Sequence, residues 1–376
     1  MTIKDDFKVL IIGGGTGGMC SAITLGRLGA KVDLVDIAED WRPLGAGITI
    51  TGATLRALKD IGVYDEIAAQ GYVGEGIRVL SVEGEFIREI PTPIPAEAGV
   101  AGCGGITRPV LHNILSRHVL EVGTDVRLGI SVDRLEQDAD GVDVTFSDGG
   151  TGRYDLVIGA DGVSSRTREQ IFPGAPKAEY TGQSVWRIFI QRPEGVDQRH
   201  FYLGGKNKVG FTPVSDTEMY MFINQRTEKV WRDPQTLPGE MRKLLEGYGG
   251  IAGQIRDEIT EDTEVNFRPL EAFVLPAPWH VGRVVLVGDA AHPTTPQLAS
   301  GAGMAVEDAI VVAEELEKVD FDVPRALAAY SARREDRCRL VVNSSVKIGR
   351  LEQEQATPEE QTAVVDEALA KLAQPI

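Results

Sequence analysis

The hydrophobic pattern at both ends of the chain alternates between short apolar runs and longer amphipathic segments. Residues 9–12 are an apolar run that ends in a glycine-rich turn, and residues 19–28 follow with helical spacing. Further apolar runs occupy residues 156–158 and 284–287, and an amphipathic stretch follows at 305–316. Because apolar strands that alternate with helices build a parallel sheet covered by helices, this pattern predicts an α/β fold.

The central part of the chain has a different pattern. Between residues 177 and 272, polar and apolar positions alternate in short runs at 184–190, 199–203, 208–213 and 218–224. Such alternation predicts antiparallel strands. Aromatic residues are frequent in these strands, and we expect most of them to pack in the sheet and a minority to face a ligand. We therefore expect an α+β substrate domain, built on an antiparallel sheet, to be inserted into a Rossmann-like α/β domain.

Composition shifts give the predicted domain limits. They are 1–75, 100–176 and 273–345 for a discontinuous nucleotide-binding domain, 76–99 and 177–272 for the substrate domain, and 346–376 for a C-terminal helical tail. The helical sequence from Val323 onward is rich in arginine and glutamate. We expect it to pack on the outside of the protein or to support a dimer.

The turn after the first apolar run has the G-x-G-x-x-G spacing of a dinucleotide-binding strand–turn–helix unit. The first glycine allows a tight turn, the second allows close approach of a pyrophosphate, and the third allows the helix to pack near the strand. A second apolar run at 31–35 ends at Asp36, where a carboxylate can bind an adenosine ribose. The alternative is a purely structural glycine turn. The predicted dinucleotide contacts are Gly13, Gly15, Thr16, Gly17, Gly18 and Asp36.

Charge and composition exclude several classes of function. The chain has 376 residues with 39 basic and 56 acidic side chains, a formal charge of −17 that disfavours nucleic acid and anionic membranes as partners. Its three cysteines lie far apart, and its five histidines lack metal-ligand spacing, so we expect reduced thiols and no metal. No apolar segment approaches the ~18 residues of a membrane span, and no signal peptide is recognisable. These features predict a cytoplasmic protein.

Two arginines and two aspartates are further candidates for ligand contacts. Arg108 begins a predicted helix, where a cation opposes the helix dipole and therefore calls for an anionic or hydrogen-bonding partner. Arg42 lies in a predicted loop, where it either reaches a phosphate or adenine or is simply solvated. Asp161 and Asp289 each follow an apolar run, at the strand ends where open α/β sheets bind ligands.

Three segments in this order, residues 13–18, 155–166 and 282–296, together resemble the single-component flavoprotein aromatic hydroxylases, the para-hydroxybenzoate hydroxylase family. The resemblance extends from about residue 9 to residue 334. It implies an FAD domain that is interrupted by a substrate domain built on an antiparallel sheet, and it implies FAD as the bound cofactor.

The resemblance also implies roles for individual residues. Asp36 would bind the adenosine ribose, although the family more often has glutamate there, and Arg108 would contact the ribityl-phosphate region. Asp289 would bind the ribityl hydroxyls, and Asp161 is associated with both FAD and the nicotinamide donor. The remaining implied flavin contacts are Val132 beside the adenine and, beside the reactive isoalloxazine edge, Pro296, Gly301, Ala302, Gly303 and Met304.

The reaction implied by the resemblance is hydroxylation of a small aromatic or heteroaromatic substrate. NADH or NADPH would reduce the flavin, O₂ would add to give a C4a-hydroperoxide, and one oxygen atom would pass to an electron-rich ring. The protein's task is to position the ring, exclude water and stabilise developing charge.

Several residues of the substrate domain are candidates for handling that ring. A phenolic substrate must lose a proton, and Tyr202, Tyr220 or His200 could relay it, with strand packing as the alternative for each. Arg187 could anchor a substrate carboxylate, or instead form an ion pair at the domain boundary. The other predicted substrate contacts are Thr49 and Phe211.

Other members of the same fold remain alternatives. A flavin-dependent halogenase would carry a WxWxIP segment, which the sequence around Trp186 does not supply, and an isoprenoid reductase would have a more apolar substrate domain. A non-catalytic flavin-binding sensor is a third possibility, which the intact 289–304 segment disfavours. A disulfide reductase is excluded because the chain lacks a cysteine pair. The sequence leaves monomer and homodimer open.

Overall fold

The computed structural model of the protein describes residues 6–41 and 47–376. Within these residues the strands are β1 (Lys8–Ile12), β2 (Lys31–Asp36), β3 (Gly47–Thr51), β4 (Tyr72–Gly74), β5 (Ile77–Leu80), β6 (Phe86–Ile90), β7 (Cys103–Thr107), β8 (Asp125–Leu128), β9 (Val132–Gln137), β10 (Val142–Phe146), β11 (Thr151–Tyr154), β12 (Leu156–Gly159), β13 (Glu179–Gln191), β14 (Arg199–Tyr202), β15 (Lys208–Pro213), β16 (Glu218–Arg226), β17 (Asn266–Ala272), β18 (His280–Val281) and β19 (Val284–Leu286).

The α-helices are α1 (Thr16–Arg27), α2 (Gly52–Asp60), α3 (Tyr64–Gln70), α4 (Arg108–Glu121), α5 (Arg166–Ile171), α6 (Leu237–Leu244), α7 (Gly250–Glu258), α8 (Gly301–Lys318), α9 (Val323–Gln353) and α10 (Pro358–Ala373). No helix in the described part of the chain has both the length and the apolar character needed to cross a membrane.

The main sheet has the strand order β18-β19-β12-β1-β2-β8, and its pairs are parallel except for β18 with β19. Alternate residues of β1 enter two different cores. Val9 and Ile11 pack with the helices, whereas Leu10 and Ile12 pack toward the small antiparallel sheet β11-β10-β9. Because both faces are covered, β1 is apolar at every position after Lys8.

A second large sheet, with the order β17-β13-β16-β15-β14-β5-β6, is antiparallel apart from the β14–β5 pair. One face packs on a core that includes residues of α6 and α7. The predicted strands at 184–190, 199–203, 208–213 and 218–224 correspond to β13, β14, β15 and β16. The predicted fold class, an α/β domain with an inserted antiparallel α+β unit, is confirmed. The domain limits stay a prediction.

Helix α9 differs from the expectation that the arginine- and glutamate-rich region lies on the outside. It runs without interruption across the predicted limit at residue 345, and Tyr330 and Arg334 on it have no solvent exposure. The expectation is wrong for the part of α9 around Arg334, whose charge is buried and paired inside the protein, whereas other charged residues of the helix, such as Arg339, are partly exposed. Composition alone does not distinguish a buried ion pair from a solvated charged face.

A buried ionic network joins α9 to α8 and to the loop after β19. Arg334 donates from Nε to Asp308 at 2.8 Å and from Nη1 to Glu307 at 2.5 Å, and all three side chains are fully buried. The Oδ2 atom of Asp308 accepts the Gly288 amide and contacts His292 Nε2, each at 2.8 Å. Burial would raise the pKa of Asp308, but His292 and Arg334 outweigh it and lower the pKa to about 2.

We expect Arg334→Met to destabilise the protein strongly. The substitution leaves Asp308 with only His292 beside it and removes one of the guanidinium groups that pair with Glu307, which keeps Arg337; breaking a buried pair of this kind costs about 3–5 kcal/mol. Urea unfolding followed by circular dichroism measures the loss. The control is Arg339→Ala on the same helix, whose exposed pair with Glu335 is worth about 0.5 kcal/mol or less. Equal losses for the two variants would contradict a dominant role for the network.

Candidate active site

The glycine-rich turn between β1 and α1 packs closely on its neighbours but leaves one side open. Gly13 has a φ of 107°, a conformation that favours glycine. A Cβ atom on Gly18 would overlap the carbonyl oxygen of Gly13, whereas one on Gly15 would meet no atom within 4 Å. Helix α1 begins without a side-chain cap. The turn therefore presents an open surface and free N–H groups, an arrangement suited to a phosphate group.

Asp36, at the end of β2, supports this turn. Its Oδ2 accepts a hydrogen bond from the Gly14 amide at 2.6 Å, and its Oδ1 accepts one from the Ala38 amide at 2.8 Å. Trp41 donates from Nε1 to the Gly14 carbonyl at 3.0 Å. Asp36 does not line the main cavity, so its contact with a ribose stays a prediction. Arg42, also predicted near the adenosine, lies outside the described residues.

Asp161 follows β12 and organises the start of α5. Its Oδ2 accepts the Thr167 amide at 2.9 Å, and its Oδ1 accepts the hydroxyl of Ser165. The neighbouring residues Ala160 and Gly162 line the main cavity, but Asp161 does not. The aspartate thus shapes the cavity wall through the turn that it holds.

Asp289 and Arg108 both line the main cavity, although they come from distant parts of the chain. Asp289 follows β19, and burial raises its pKa while His292 and Arg108 partly offset the shift. Arg108 is the first residue of α4, which Thr107 caps by accepting the Val110 amide at 3.3 Å, so the predicted helix start is confirmed. Among residues 6–41 and 47–376, no carboxylate lies within 4 Å of the Arg108 guanidinium.

Helix α8 also begins at the cavity without a side-chain cap, because Ser300 donates its hydroxyl to the Leu298 carbonyl at 2.8 Å. Its first amides are therefore free to meet an electron-rich ring edge. Gly303 packs on α2 and Met304 contacts the buried network, so neither lines the cavity. The predicted flavin-edge residues that do line it are Pro296, Gly301 and Ala302.

A cavity of about 420 Å³ joins the two uncapped helix ends to one face of the seven-stranded sheet. A Cβ atom on Gly210 would overlap the ring of Phe222. Glycine at this position lets the rings of Phe201 and Phe222 pack edge to face, with their centroids 5.9 Å apart. The sheet residues that line the cavity come from five strands: Val185 and Arg187 on β13, Arg199 and Phe201 on β14, Lys208 on β15, Tyr220, Phe222 and Asn224 on β16, and Leu270 on β17.

Three predicted substrate-domain residues do not line this cavity. Tyr202 and Phe211 belong to the core beside α6 and α7, and the Tyr202 hydroxyl donates to the Gly249 carbonyl at 3.0 Å. His200 is 2% exposed, with its Nδ1 2.8 Å from the Gln198 carbonyl oxygen. Because neighbouring strand residues point to opposite faces, these side chains are separated from the cavity by the sheet itself. We do not include them in the proposed site.

The cavity also contains residues that sequence reasoning missed. These residues are Arg199, Lys208, Asn224 and Gln297. The sequence signal that could have indicated Asn224 was the period of two on β16, which places it on the same face as Tyr220. The side chain of Val132 is buried in the core between the main sheet and the β11-β10-β9 sheet and does not line the cavity, and the implied contact of its backbone with the adenine stays a prediction.

Polar groups converge where the sheet meets β3. The hydroxyls of Tyr220 and Thr49 are hydrogen-bonded, and Thr49 Oγ1 lies 3.0 Å from Thr212 Oγ1. Burial lowers the pKa of Arg187, an effect that Tyr220 opposes and Arg108 reinforces. In the described chain, no carboxylate lies within 4 Å of the Arg187 guanidinium. Arg187 is therefore a half-buried cation with no carboxylate partner among the described residues.

Comparison with known proteins identifies the cofactor that this site holds. Residues 6–345 match the family described as FAD binding domain. YetM of Bacillus subtilis (strain 168), whose name assigns it provisionally as an FAD-dependent monooxygenase, is 33% identical over 345 residues, which cover 91% of this chain and 93% of that protein. The 2-heptyl-3-hydroxy-4(1H)-quinolone synthase of Pseudomonas aeruginosa (strain UCBPP-PA14) is 31% identical over 353 residues. The aligned region covers 92% of this chain and 89% of that protein.

Among solved structures, Klebsiella pneumoniae HpxO complexed with FAD and uric acid has the same fold. It superimposes with a TM-score of 0.85 at 24% identity, over 99% of this chain and 97% of that chain. The predicted resemblance and the predicted FAD are confirmed. The chain belongs to the FAD binding domain family, and it is an FAD-dependent monooxygenase.

Proposed function

We propose that the protein uses NADH or NADPH and O₂ to hydroxylate a small aromatic or heteroaromatic ring that carries an anionic group. The observation that carries this proposal is the cavity, which joins two uncapped helix ends to an aromatic and cationic sheet face. Similarity to HpxO, whose structure contains uric acid, and to a quinolone synthase supports a heteroaromatic ring.

The residues present fit a bound FAD. The open glycine turn and the free amides of α1 suit a pyrophosphate, while Asp289 and Arg108 suit the ribityl chain and its phosphate. The free amides of α8 would favour negative charge on the flavin edge beside Pro296. When bound, the flavin supplies the redox and oxygen chemistry. We infer these contacts; Asp161 would act through the turn that carries Gly162.

The chain's own residues would orient the substrate ring and exclude water from it. Phe201 and Phe222 provide an apolar surface on the sheet side of the cavity, and Pro296 borders the flavin side. Arg187 would bind the anionic group of the substrate, because a half-buried guanidinium with no carboxylate partner among the described residues gains most from one on the ligand.

Tyr220 is the proposed proton-transfer residue. It lines the cavity, and its hydroxyl contacts Thr49, which in turn contacts the buried Thr212. Such a chain would hold the Tyr220 hydroxyl in place to accept a hydrogen bond from a ring hydroxyl and to take up its proton while donating its own hydrogen to Thr49. The ring would be activated by this proton transfer at the Tyr220 oxygen.

The proposed function is tested with purified protein reconstituted with FAD. NADH and NADPH oxidation are measured against a panel of aromatic and heteroaromatic acids, and the products are analysed by mass spectrometry. The expected result is accelerated cofactor oxidation and a product heavier by one oxygen atom with at least one ring. A halogenated product would favour the halogenase alternative, reduction of an isoprenoid chain would favour the reductase, and the absence of any product would favour a sensor. Light scattering during purification would decide between monomer and homodimer.

We expect Gly18→Ala to reduce folding stability and Gly15→Ala to reduce FAD affinity. At Gly18 the new Cβ overlaps the Gly13 carbonyl, so overpacking should destabilise the fold by about 1–3 kcal/mol. At Gly15 the methyl group enters open space, so the fold should keep its stability while FAD binds about tenfold more weakly, equivalent to about 1.4 kcal/mol. Thermal unfolding of the apoprotein and FAD fluorescence titration measure the two effects. The control is Gly239→Ala, an exposed position with no neighbouring atom. Unchanged FAD affinity in Gly15→Ala would contradict the proposed pyrophosphate site.

We expect Arg187→Ala to weaken binding of aromatic acids about 10- to 100-fold, the range for losing a charge-assisted hydrogen bond. FAD affinity should not change. Binding is followed through the flavin absorbance spectrum of the reconstituted enzyme. Arg88→Ala, on the exposed edge strand β6 of the same sheet, is the matched control. If both variants bind the acids as tightly as the wild type does, Arg187 is not the anchor.

We expect Tyr220→Phe to lower the turnover of phenolic substrates about 100-fold, the lower range for losing a general acid–base group. Reduction of the bound flavin by NADH or NADPH should be unaffected. Stopped-flow absorbance separates the two steps. Tyr202→Phe is the control, because its hydroxyl is on the other face of the sheet. A loss of turnover in Tyr202→Phe but not in Tyr220→Phe would reverse the assignment.

A further inference from the structure

The end of α9 contributes a carboxylate to a polar cluster at the substrate cavity. Glu352 Oε1 accepts the Lys208 ammonium at 2.8 Å. Its Oε2 accepts amide hydrogens from Gln183 at 3.1 Å, Gln297 at 3.4 Å and Asn224 at 3.5 Å. We call these five residues the Glu352 cluster. Lys208, Asn224 and Gln297 line the cavity, and Glu352 lies behind them.

The Glu352 cluster depends on close docking of α9 against β13. A Cβ atom on Gly349 would come within 2.8 Å of Gln183 Oε1, and Gln353 donates from Nε2 to the Thr181 carbonyl at 3.0 Å. Glu352 lies beyond residue 345, where the match to the FAD binding domain family ends. The residues that line this wall therefore lie within the family match, whereas the carboxylate behind them comes from a part of the chain outside it.

Glu352 helps to orient two amide side chains. A carboxylate only accepts hydrogen bonds, so the –NH₂ groups of Asn224 and Gln297 face it and their carbonyl oxygens turn away. The –NH₂ group of Gln297 also donates to Gln183 Oε1 at 2.9 Å, and Gln183 in turn donates to Glu352. Both oxygens, Asn224 Oδ1 and Gln297 Oε1, are buried and have no hydrogen-bond partner among the described residues. Such orphaned acceptors are costly unless a ligand donates to them.

Lys208 supplies a hydrogen-bond donor beside these two acceptors. Its ammonium has three hydrogens, and the pairing with Glu352 uses one of them. The same side chain lies 5.2 Å from the centre of the Phe201 ring, on the aromatic surface of the cavity. The cluster thus presents one donor beside two unpaired acceptors.

We propose that Glu352 is a positioning residue that makes this wall select rings with an N–H or O–H donor beside an oxygen acceptor. The ring donor would bond the carbonyl oxygen of Asn224 or Gln297, which a small rotation of the amide must first uncover, and the ring oxygen would accept from Lys208. Oxo- and hydroxy-substituted nitrogen heterocycles have this pattern, whereas simple benzoates do not. This inference rests on the proposed function and narrows its substrate class.

The test uses the FAD-loaded enzyme and perturbation of its flavin spectrum on titration with defined probes. The probes are 4-quinolone-2-carboxylate and urate, their N-methylated counterparts, and benzoate, so that every ring carries an anionic group for Arg187. In the wild type we expect the N–H rings to bind at least about tenfold more tightly than the N-methylated rings, the size of a hydrogen bond to an otherwise unpaired buried group.

Glu352→Gln should abolish this preference, because a glutamine can donate as well as accept and no longer dictates the orientation of the neighbouring amides. FAD affinity should stay at the wild-type value. The matched control is Glu354→Gln, two residues further along the chain, at an exposed position outside the cluster. Asn224→Leu is a second variant, which removes one acceptor but leaves the Lys208–Glu352 pair, and it should also reduce the preference.

The outcomes separate this inference from the proposed function. Equal binding of N–H and N-methylated rings by the wild type overturns the inference. A preference that survives in Glu352→Gln and Asn224→Leu overturns it as well, because it then reflects steric rejection of the methyl group. Turnover of benzoates together with no response to either heterocycle overturns the inference but leaves the proposed function standing. If no ring perturbs the flavin, the proposed function fails and the inference fails with it.

Discussion

The buried ionic network between α8 and α9 is the interaction on which the flavin side of the protein depends. Arg334, Glu307 and Asp308 have no solvent exposure, so each charge is tolerable only while its partners stay in place. Asp308 also holds the Gly288 amide, which directly precedes Asp289. The network thereby positions both the carboxylate that faces the cavity and the start of α8.

Helix α9 extends this constraint to the substrate side. Arg334 and Glu352 are 18 residues apart on one uninterrupted helix, a distance of about 27 Å at 1.5 Å per residue. The helix that is pinned by buried charges at the flavin loop therefore also carries the carboxylate that orients Lys208 and the amides beside it. A C-terminal segment of this kind can change substrate preference without altering the elements that bind the cofactor.

The two sides of the cavity are built by different means. The side proposed for the cofactor consists mainly of backbone, with open glycines and free helix amides, together with the side chains of Asp289 and Arg108. The side proposed for the substrate consists of side chains from five strands, including Arg187, Phe201 and Tyr220. The family match identifies the cofactor, whereas the side chains of the sheet face would select the substrate.

The sequence by itself determined the fold class, the glycine turn and the start of α4, because each depends on local chemistry: a left-handed Gly13, a close approach at Gly18 and a capping Thr107. Only the tertiary structure decided which face of β14 meets the cavity, since both faces of that strand carry large side chains. Tyr202 packs under α7 while Phe201 faces the ligand site. A period of two separates the faces of a strand but does not say which layer covers each one, because that depends on contacts between residues distant in the chain.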